Sequence, residues 1–169
     1  MIDIRKARSA DAAAIAEILN QAIEAGNRTA FTDPVSIQDR EAWLTHHHQS
    51  GYPVYVAVEA GEDTVMGYLS LSPWRSGRDA LKHTAEVSYY VHKQYRRKGV
   101  AGALMKQMIA ECPALEIDRL LAILLDINSP SIALLEKFGF DRWGHFPGVA
   151  KLREIRAGQY IYGRILTVD

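Results

Sequence analysis

TAEVSYYVHKQYRRKGVAG, residues 84–102, changes character twice over a short span. Thr84 to Val91 is dense in β-branched and aromatic residues and reads as a strand. Tyr95-Arg96-Arg97-Lys98 is basic, and Gly99-Val100-Ala101-Gly102 then leads into a helical pattern. That helix is expected from about Lys98 to Glu111, with Ala101, Leu104, Met105, Met108 and Ile109 as its buried stripe. A helix start presents about four unpaired N–H groups and the positive end of its dipole. Glycine at 99 and small residues at 101 and 102 let a phosphate approach that backbone, while Arg96, Arg97 and Lys98 add charge. The spacing fits neither G-x-x-x-x-G-K-[ST] nor G-x-G-x-x-G. An isolated basic cluster is usually a solvated turn. A basic cluster joined to a glycine and a helix start, directly after a strong strand, points to a pyrophosphate site.

Working outward, Met1 to Arg8 alternates apolar and polar residues and predicts a short strand. Ser9 and Asp11 offer N-cap chemistry for a helix carrying Ile15, Ile18, Leu19, Ala22 and Ile23, which Gly26-Asn27 stops. Arg28 to Val35 reads as a loop with Phe31 as its conspicuous apolar residue. Ser36, followed by Asp39, starts a second helix ending at Gly51. Val54–Val58 and Thr64–Leu71 predict two strands across a Gly61-Glu62-Asp63 turn. Beyond the central segment, the apolar run Arg119–Leu125 predicts a strand buried on both faces, and Asn128-Ser129-Pro130-Ser131 opens a helix closing at Gly139. Phe140, Trp143, Phe146 and Tyr160 to Leu166 suggest a terminal pair of strands. The order β-α-α-β-β-β-α-β-α-β-β predicts one mixed α/β domain over residues 1–169.

Composition narrows the function classes. A chain of 169 residues buries roughly 70% of its unfolded surface and needs no staple. Lys plus Arg and Asp plus Glu are both 20, which excludes a globally basic nucleic-acid binder. The single cysteine, Cys112, excludes an internal disulfide and four-cysteine metal sites. His46-His47-His48 points in different directions on one helix, so no metal site is expected. Cys112 reads as a packed thiol rather than a nucleophile. No apolar run is long enough to span a membrane, and the first residues lack a signal-peptide core. A soluble cytoplasmic protein is the resulting expectation.

Arg96, Gly99 and Ala101 meet the Arg/Gln-x-x-Gly-x-Gly/Ala signature, and the chain resembles the GNAT acetyltransferase superfamily over nearly its whole length. It is most similar to the subgroup that acetylates phosphinothricin and methionine sulfoximine or sulfone. The segments carrying that resemblance are ILNQAIE, DREAWL, PWR, TAEVSYYV, the basic loop and NSPSIALLEKFGF. The resemblance implies a mostly antiparallel central sheet with helices packed on it. It further implies that the strands Glu86–Val91 and Arg119–Leu125 splay apart around the arm of acetyl-CoA, with no metal required. A homodimer is implied as well, for which Trp143, Phe146, Tyr160 and Tyr162 offer an apolar contact.

The resemblance also assigns roles. Arg96, Arg97, Lys98, Gly99, Val100, Ala101 and Gly102 would hold the pyrophosphate. Tyr89, Tyr90 and Val91 would offer strand-edge backbone to the pantetheine arm and the thioester carbonyl. Asn128 would contact that arm, although it also reads as an ordinary N-cap. Glu86 would be the general base. A carboxylate of reference pKa about 4.3 suits an amine near neutrality, and the bland reading is a solvent-facing or ion-paired strand residue. Trp74 and Arg75 match the subgroup's aromatic–Arg pair, where a guanidinium fork suits a carboxylate or phosphinate; alternatively Arg75 is a surface loop charge. Phe31 is either a wall of the substrate pocket or a core plug. Many family members carry a tyrosine seven residues after the asparagine as general acid, but here that residue is Leu135, so no general acid is assigned. The implied activity is acetyl transfer to the amino group of a small amino-acid-like compound, an acyltransferase reaction. Protein N-termini, polyamines and a non-catalytic acyl-CoA-binding module remain the alternatives.

Overall fold

Seven strands form one sheet in the order β1-β2-β3-β4-β5-β7-β6, in a computed structural model that describes residues 1–166. The chain runs β1 (Ile2–Lys6), α1 (Ala12–Ala25), α2 (Ile37–Ser50), β2 (Val54–Glu59), β3 (Val65–Pro73), β4 (Thr84–Val91), α3 (Val100–Glu111), β5 (Arg119–Leu125), α4 (Ser129–Lys137), β6 (Asp141–Leu152) and β7 (Ile155–Ile165). This is the element order read from the sequence. Every neighbouring pair is antiparallel except β4 and β5.

Alternation along the strands divides the core between the two faces. One face buries Val54, Val56, Val58 and Tyr68 against Ile15, Ile18 and Leu44 of α1 and α2. The other buries Leu69, Leu71, Ala85, Val87 and Leu120 against Leu104, Met105 and Met108 of α3 and Leu135 of α4. At Gly67 of β3 a Cβ would stand 2.9 Å from the Tyr90 carbonyl oxygen and 2.9 Å from Val100 Cγ1. The missing side chain therefore lets the first turn of α3 seat directly on the sheet.

Local chemistry follows the sequence in some places and departs from it in others. Ser36 caps α2 as expected: its Oγ accepts from the Asp39 amide at 3.0 Å, and Asp39 Oδ2 accepts from the Ser36 amide at 3.0 Å. Ser9 and Asp11, expected to cap α1, instead form a short 3-10 turn. The Asp11 carboxylate accepts from Arg5 at 2.7 and 2.9 Å and from the Arg8 amide at 2.7 Å, and makes no cap bond to α1. A buried carboxylate takes the strongest donor in reach, here a guanidinium on β1. Helix α3 starts at Val100, later than expected, because Arg97 and Gly99 adopt left-handed φ of 61° and 84°. Tyr162, expected at a subunit contact, is buried and donates to Glu136 Oε1 at 3.2 Å, whereas Trp143 and Phe146 are exposed.

Two of the three consecutive histidines tie α2 to neighbouring backbone, and His46 is exposed. His47 Nδ1 donates to the Tyr52 carbonyl and His48 Nε2 to the Ala7 carbonyl, both at 3.1 Å. Cys112 is buried, and burial pushes its thiol up to about 11.

The feature that positions a site is the parallel pair. β4 and β5 are joined only through Thr84–Arg119, Ala85–Leu120 and Glu86–Leu121. Beyond Glu86 the strands separate, while β4 stays paired to β3 through Val91 and β5 to β7 through Leu125. The splay expected from the resemblance begins at Glu86.

Candidate functional site

The gap between β4 and β5 opens into two adjoining cavities that share Arg28, Tyr89, Tyr90, Asn128 and Ser131 in their walls. The first, of about 350 Å³, is lined by Arg28–Phe31 from the loop after α1, Glu86–Tyr90 of β4, Ala122–Leu125 of β5, Leu135 and Gln159. The second, of about 550 Å³, is lined by Tyr89–Val91, Tyr95–Arg97, Gly99–Gly102, Pro130 and Leu134, with Ala22 and Arg28 from the α1 side.

The second cavity has the chemistry of a polyanion site. Its wall includes the start of α3, where Gly99 stands at the N-cap in a left-handed conformation that an L side chain rarely adopts. Arg28, Arg96 and Arg97 line it, and among the described residues no aspartate or glutamate does. Burial, and then the neighbouring Arg28 charge, lower the affinity of the Arg96 guanidinium for its proton. Lys98, expected among the phosphate ligands, is exposed; its ammonium sits 5.1 Å from the Tyr95 ring centroid, outside the lining of either cavity.

Among the described residues, Glu86 is the only carboxylate lining the first cavity. Burial pushes its pKa above the ordinary carboxylate value, so the protein environment favours the neutral form and makes the ionised form a stronger base. The ion-paired alternative does not describe it: Glu86 is half-buried and has no ion pair among the described residues. Tyr90 donates to Thr29 Oγ1 at 3.2 Å, tying β4 to the loop after α1. The Tyr89 hydroxyl and Ser131 Oγ share a hydrogen bond of 2.6 Å, tying β4 to α4, and burial pushes the Tyr89 phenol up to about 12.

Asn128 occupies the N-cap position of α4 but its side chain makes no cap bond; Nδ2 donates to the Arg28 carbonyl at 3.5 Å instead. Leu135 is fully buried at the cavity wall and carries no proton to give. Phe31 lines the first cavity and is 51% exposed, so it is a wall rather than a core plug. Trp74 and Arg75 lie outside both linings, in the turn after β3. The Trp74 amide donates to the Thr84 carbonyl at 3.2 Å, and Arg75 is exposed with a φ of 52°. Arg28, Thr29, Ser131 and Gln159 join the site without having been singled out in the sequence. A polar stretch such as Asn27-Arg28-Thr29 reads as a solvated loop, and no local signal shows that it folds over the sheet.

The residues present fit acetyl-CoA. The second cavity supplies clustered cations, a helix start and a glycine with open space around its missing side chain, and the unpaired edge of β4 beyond Glu86 offers backbone groups to an extended arm.

Residues 14–140 match the model of the acetyltransferase (GNAT) family. The chain is 38% identical over 164 residues to YwnH of Bacillus subtilis, covering 97% of this chain and 99% of the relative. It is 34% identical to the L-methionine sulfoximine/L-methionine sulfone acetyltransferase of Pseudomonas aeruginosa, over 88% of this chain and 85% of that one. Among solved structures it resembles a GNAT superfamily phosphinothricin acetyltransferase from Sinorhizobium meliloti in complex with acetyl-CoA, with a TM-score of 0.91 and 27% identity, covering 98% of this chain and 88% of the other. With its splayed β4–β5 pair and arginine-lined cavity, the chain belongs to the GNAT family of acetyl-CoA-dependent N-acetyltransferases.

Proposed function

We propose that this enzyme, a single domain over residues 1–169, acetylates the amino group of a small amino-acid-like substrate with Glu86 as general base. The observation that carries this reading is the isolation of Glu86 as the one carboxylate, among the described residues, of a cavity that adjoins the arginine-lined one. Acetyl-CoA supplies an activated acyl group on a thiol whose reference pKa of about 8.5 makes it a tolerable leaving group. Glu86, ionised, accepts the proton of the incoming ammonium directly or through one water. The backbone of Tyr89, Tyr90 and Val91 along the free β4 edge orients the arm and polarises the carbonyl. Asn128 holds the far wall of the slot. With Leu135 in place of a tyrosine, the thiolate takes its proton from solvent or another hydroxyl.

The substrate class is supported by the relative that acts on methionine sulfoximine and sulfone and by the phosphinothricin acetyltransferase of like fold. A polyamine site calls for several carboxylates, and this cavity has one. In this reading Phe31 walls the first cavity and Trp74 and Arg75 form an outer rim. The Trp74 amide, which donates to the Thr84 carbonyl just past the last β3–β4 pair, keeps that turn beside the strand that carries Glu86 and supports this reading. The deciding measurement is thiol release from acetyl-CoA across a panel of amines with and without a carboxylate. Turnover confined to the carboxylate-bearing set supports the assignment, and turnover of polyamines alone refutes it. At this exposed rim position, Arg75→Ala is expected to lower kcat/KM by about two- to fivefold, under ~1 kcal/mol, for carboxylate-bearing amines only. An equal loss for both sets makes Arg75 structural.

We further propose a cytoplasmic homodimer in which the exposed Trp143 and Phe146 of the edge strand β6 meet a second copy. Sedimentation is expected to give a dimer mass for the wild type and a monomer mass for Trp143→Glu. A monomeric wild type excludes it.

A further inference from the structure

We propose that Arg28, on the loop after α1, is a phosphate-binding residue of the acyl-CoA site that pairs with the diphosphate from the α1 side, complementing Arg96 and the start of α3. Three observations converge on it. Arg28 lines the second cavity beside Arg96 and Arg97, where no carboxylate of the described residues lies. Its Nε is buried and finds no hydrogen-bond partner, and neither Arg28, Arg96 nor Arg97 forms an ion pair among the described residues. The loop itself is held in place, because the Arg28 carbonyl accepts from Asn128 Nδ2 at 3.5 Å and Thr29 Oγ1 accepts from Tyr90 at 3.2 Å.

Arg28 is close enough to Arg96 for its charge to disfavour the protonated form there. Two guanidiniums brought together without an acid repel each other, and a buried donor without a partner is costly. A doubly charged diphosphate between them relieves both. The same guanidinium also borders the first cavity, so the competing anion is an acidic group on the amine substrate. Two features favour the diphosphate: the neighbouring Arg96 lines only the second cavity, and the first already holds the negative Glu86.

Calorimetric titration separates the possibilities, using CoA and, as a ligand without the diphosphate, pantetheine. Arg28→Met is expected to raise the Kd for CoA about tenfold or more, with a shallower salt dependence, and to leave pantetheine binding unchanged. The melting temperature of the ligand-free Arg28→Met protein is expected to be no lower than wild type, while the rise produced by CoA shrinks. Arg28→Lys, which keeps the charge but loses the fork, is expected to fall between. An unchanged Kd for CoA overturns the proposal, including the case in which Arg28→Met raises only the KM of carboxylate-bearing amines. A ligand-free protein that melts well below wild type in both Arg28→Met and Arg28→Gln makes Arg28 a structural residue and overturns it equally. Because CoA alone is titrated, the result stands apart from the identity of the amine.

Discussion

Glu86→Gln is expected to lower kcat by about 10²- to 10⁴-fold while leaving the Kd for CoA unchanged, the range over which a general base contributes. The same substitution is expected to raise the melting temperature at neutral pH. Burial raises the Glu86 pKa in the folded protein, so the stability linked to its protonated form is fully present below the ordinary carboxylate pKa. That contribution is lost as pH rises through the raised value, and at neutral pH the fold carries a half-buried carboxylate with no ion pair. A neutral amide of similar shape removes the penalty. Wild-type activity runs the opposite way, since only the ionised form accepts a proton: kcat/KM should fall as pH drops through a pKa above the ordinary carboxylate value, and the Gln variant should lose that limb. Stopped assays over pH and thermal melts at matched pH test both statements. A Gln variant with wild-type kcat places the base elsewhere.

Gly99→Val is expected to weaken CoA binding by more than about tenfold and to lower the melting temperature by about 2–8 °C. The strain of holding a side chain in a left-handed conformation is about 1–2 kcal/mol, and for a β-branched residue that conformation is a genuine outlier. Beyond its immediate chain neighbours, no heavy atom of the described residues lies within 4 Å of a Cβ built at Gly99, so the damage is not a collision with a packed element. It comes from the backbone angle, because relaxing a φ of 84° redirects the first-turn amides of α3, and from side-chain bulk where an anion must approach. Gly99→Asn, which tolerates the left-handed region, should lose less than Gly99→Val. CoA titration of the two variants at fixed salt is the check, and wild-type affinity in Gly99→Val would falsify the placement of the diphosphate there.

Hydrophobic period and end signals were enough to determine the element order of this protein. Thr84 to Val91 is dense in strand-forming residues, Ser36 and Asp39 carry a capping box, and the unbroken run Arg119–Leu125 requires a strand covered on both faces. These are local properties, set by which neighbours along the chain share a face. The basic loop before α3 was legible for the same reason, since charge, glycine and helix start lie next to one another. Only the tertiary structure decided that β4 and β5 part at Glu86, that Leu135 meets the same cavity as Glu86, and that Trp74 and Arg75 stay outside both cavities. It also brought Arg28 beside Arg96, residues far apart in the chain, by folding the loop after α1 over the sheet. Which side chains face one another across the slot depends on strand register and helix docking, and those are fixed by contacts between distant segments that no local pattern encodes.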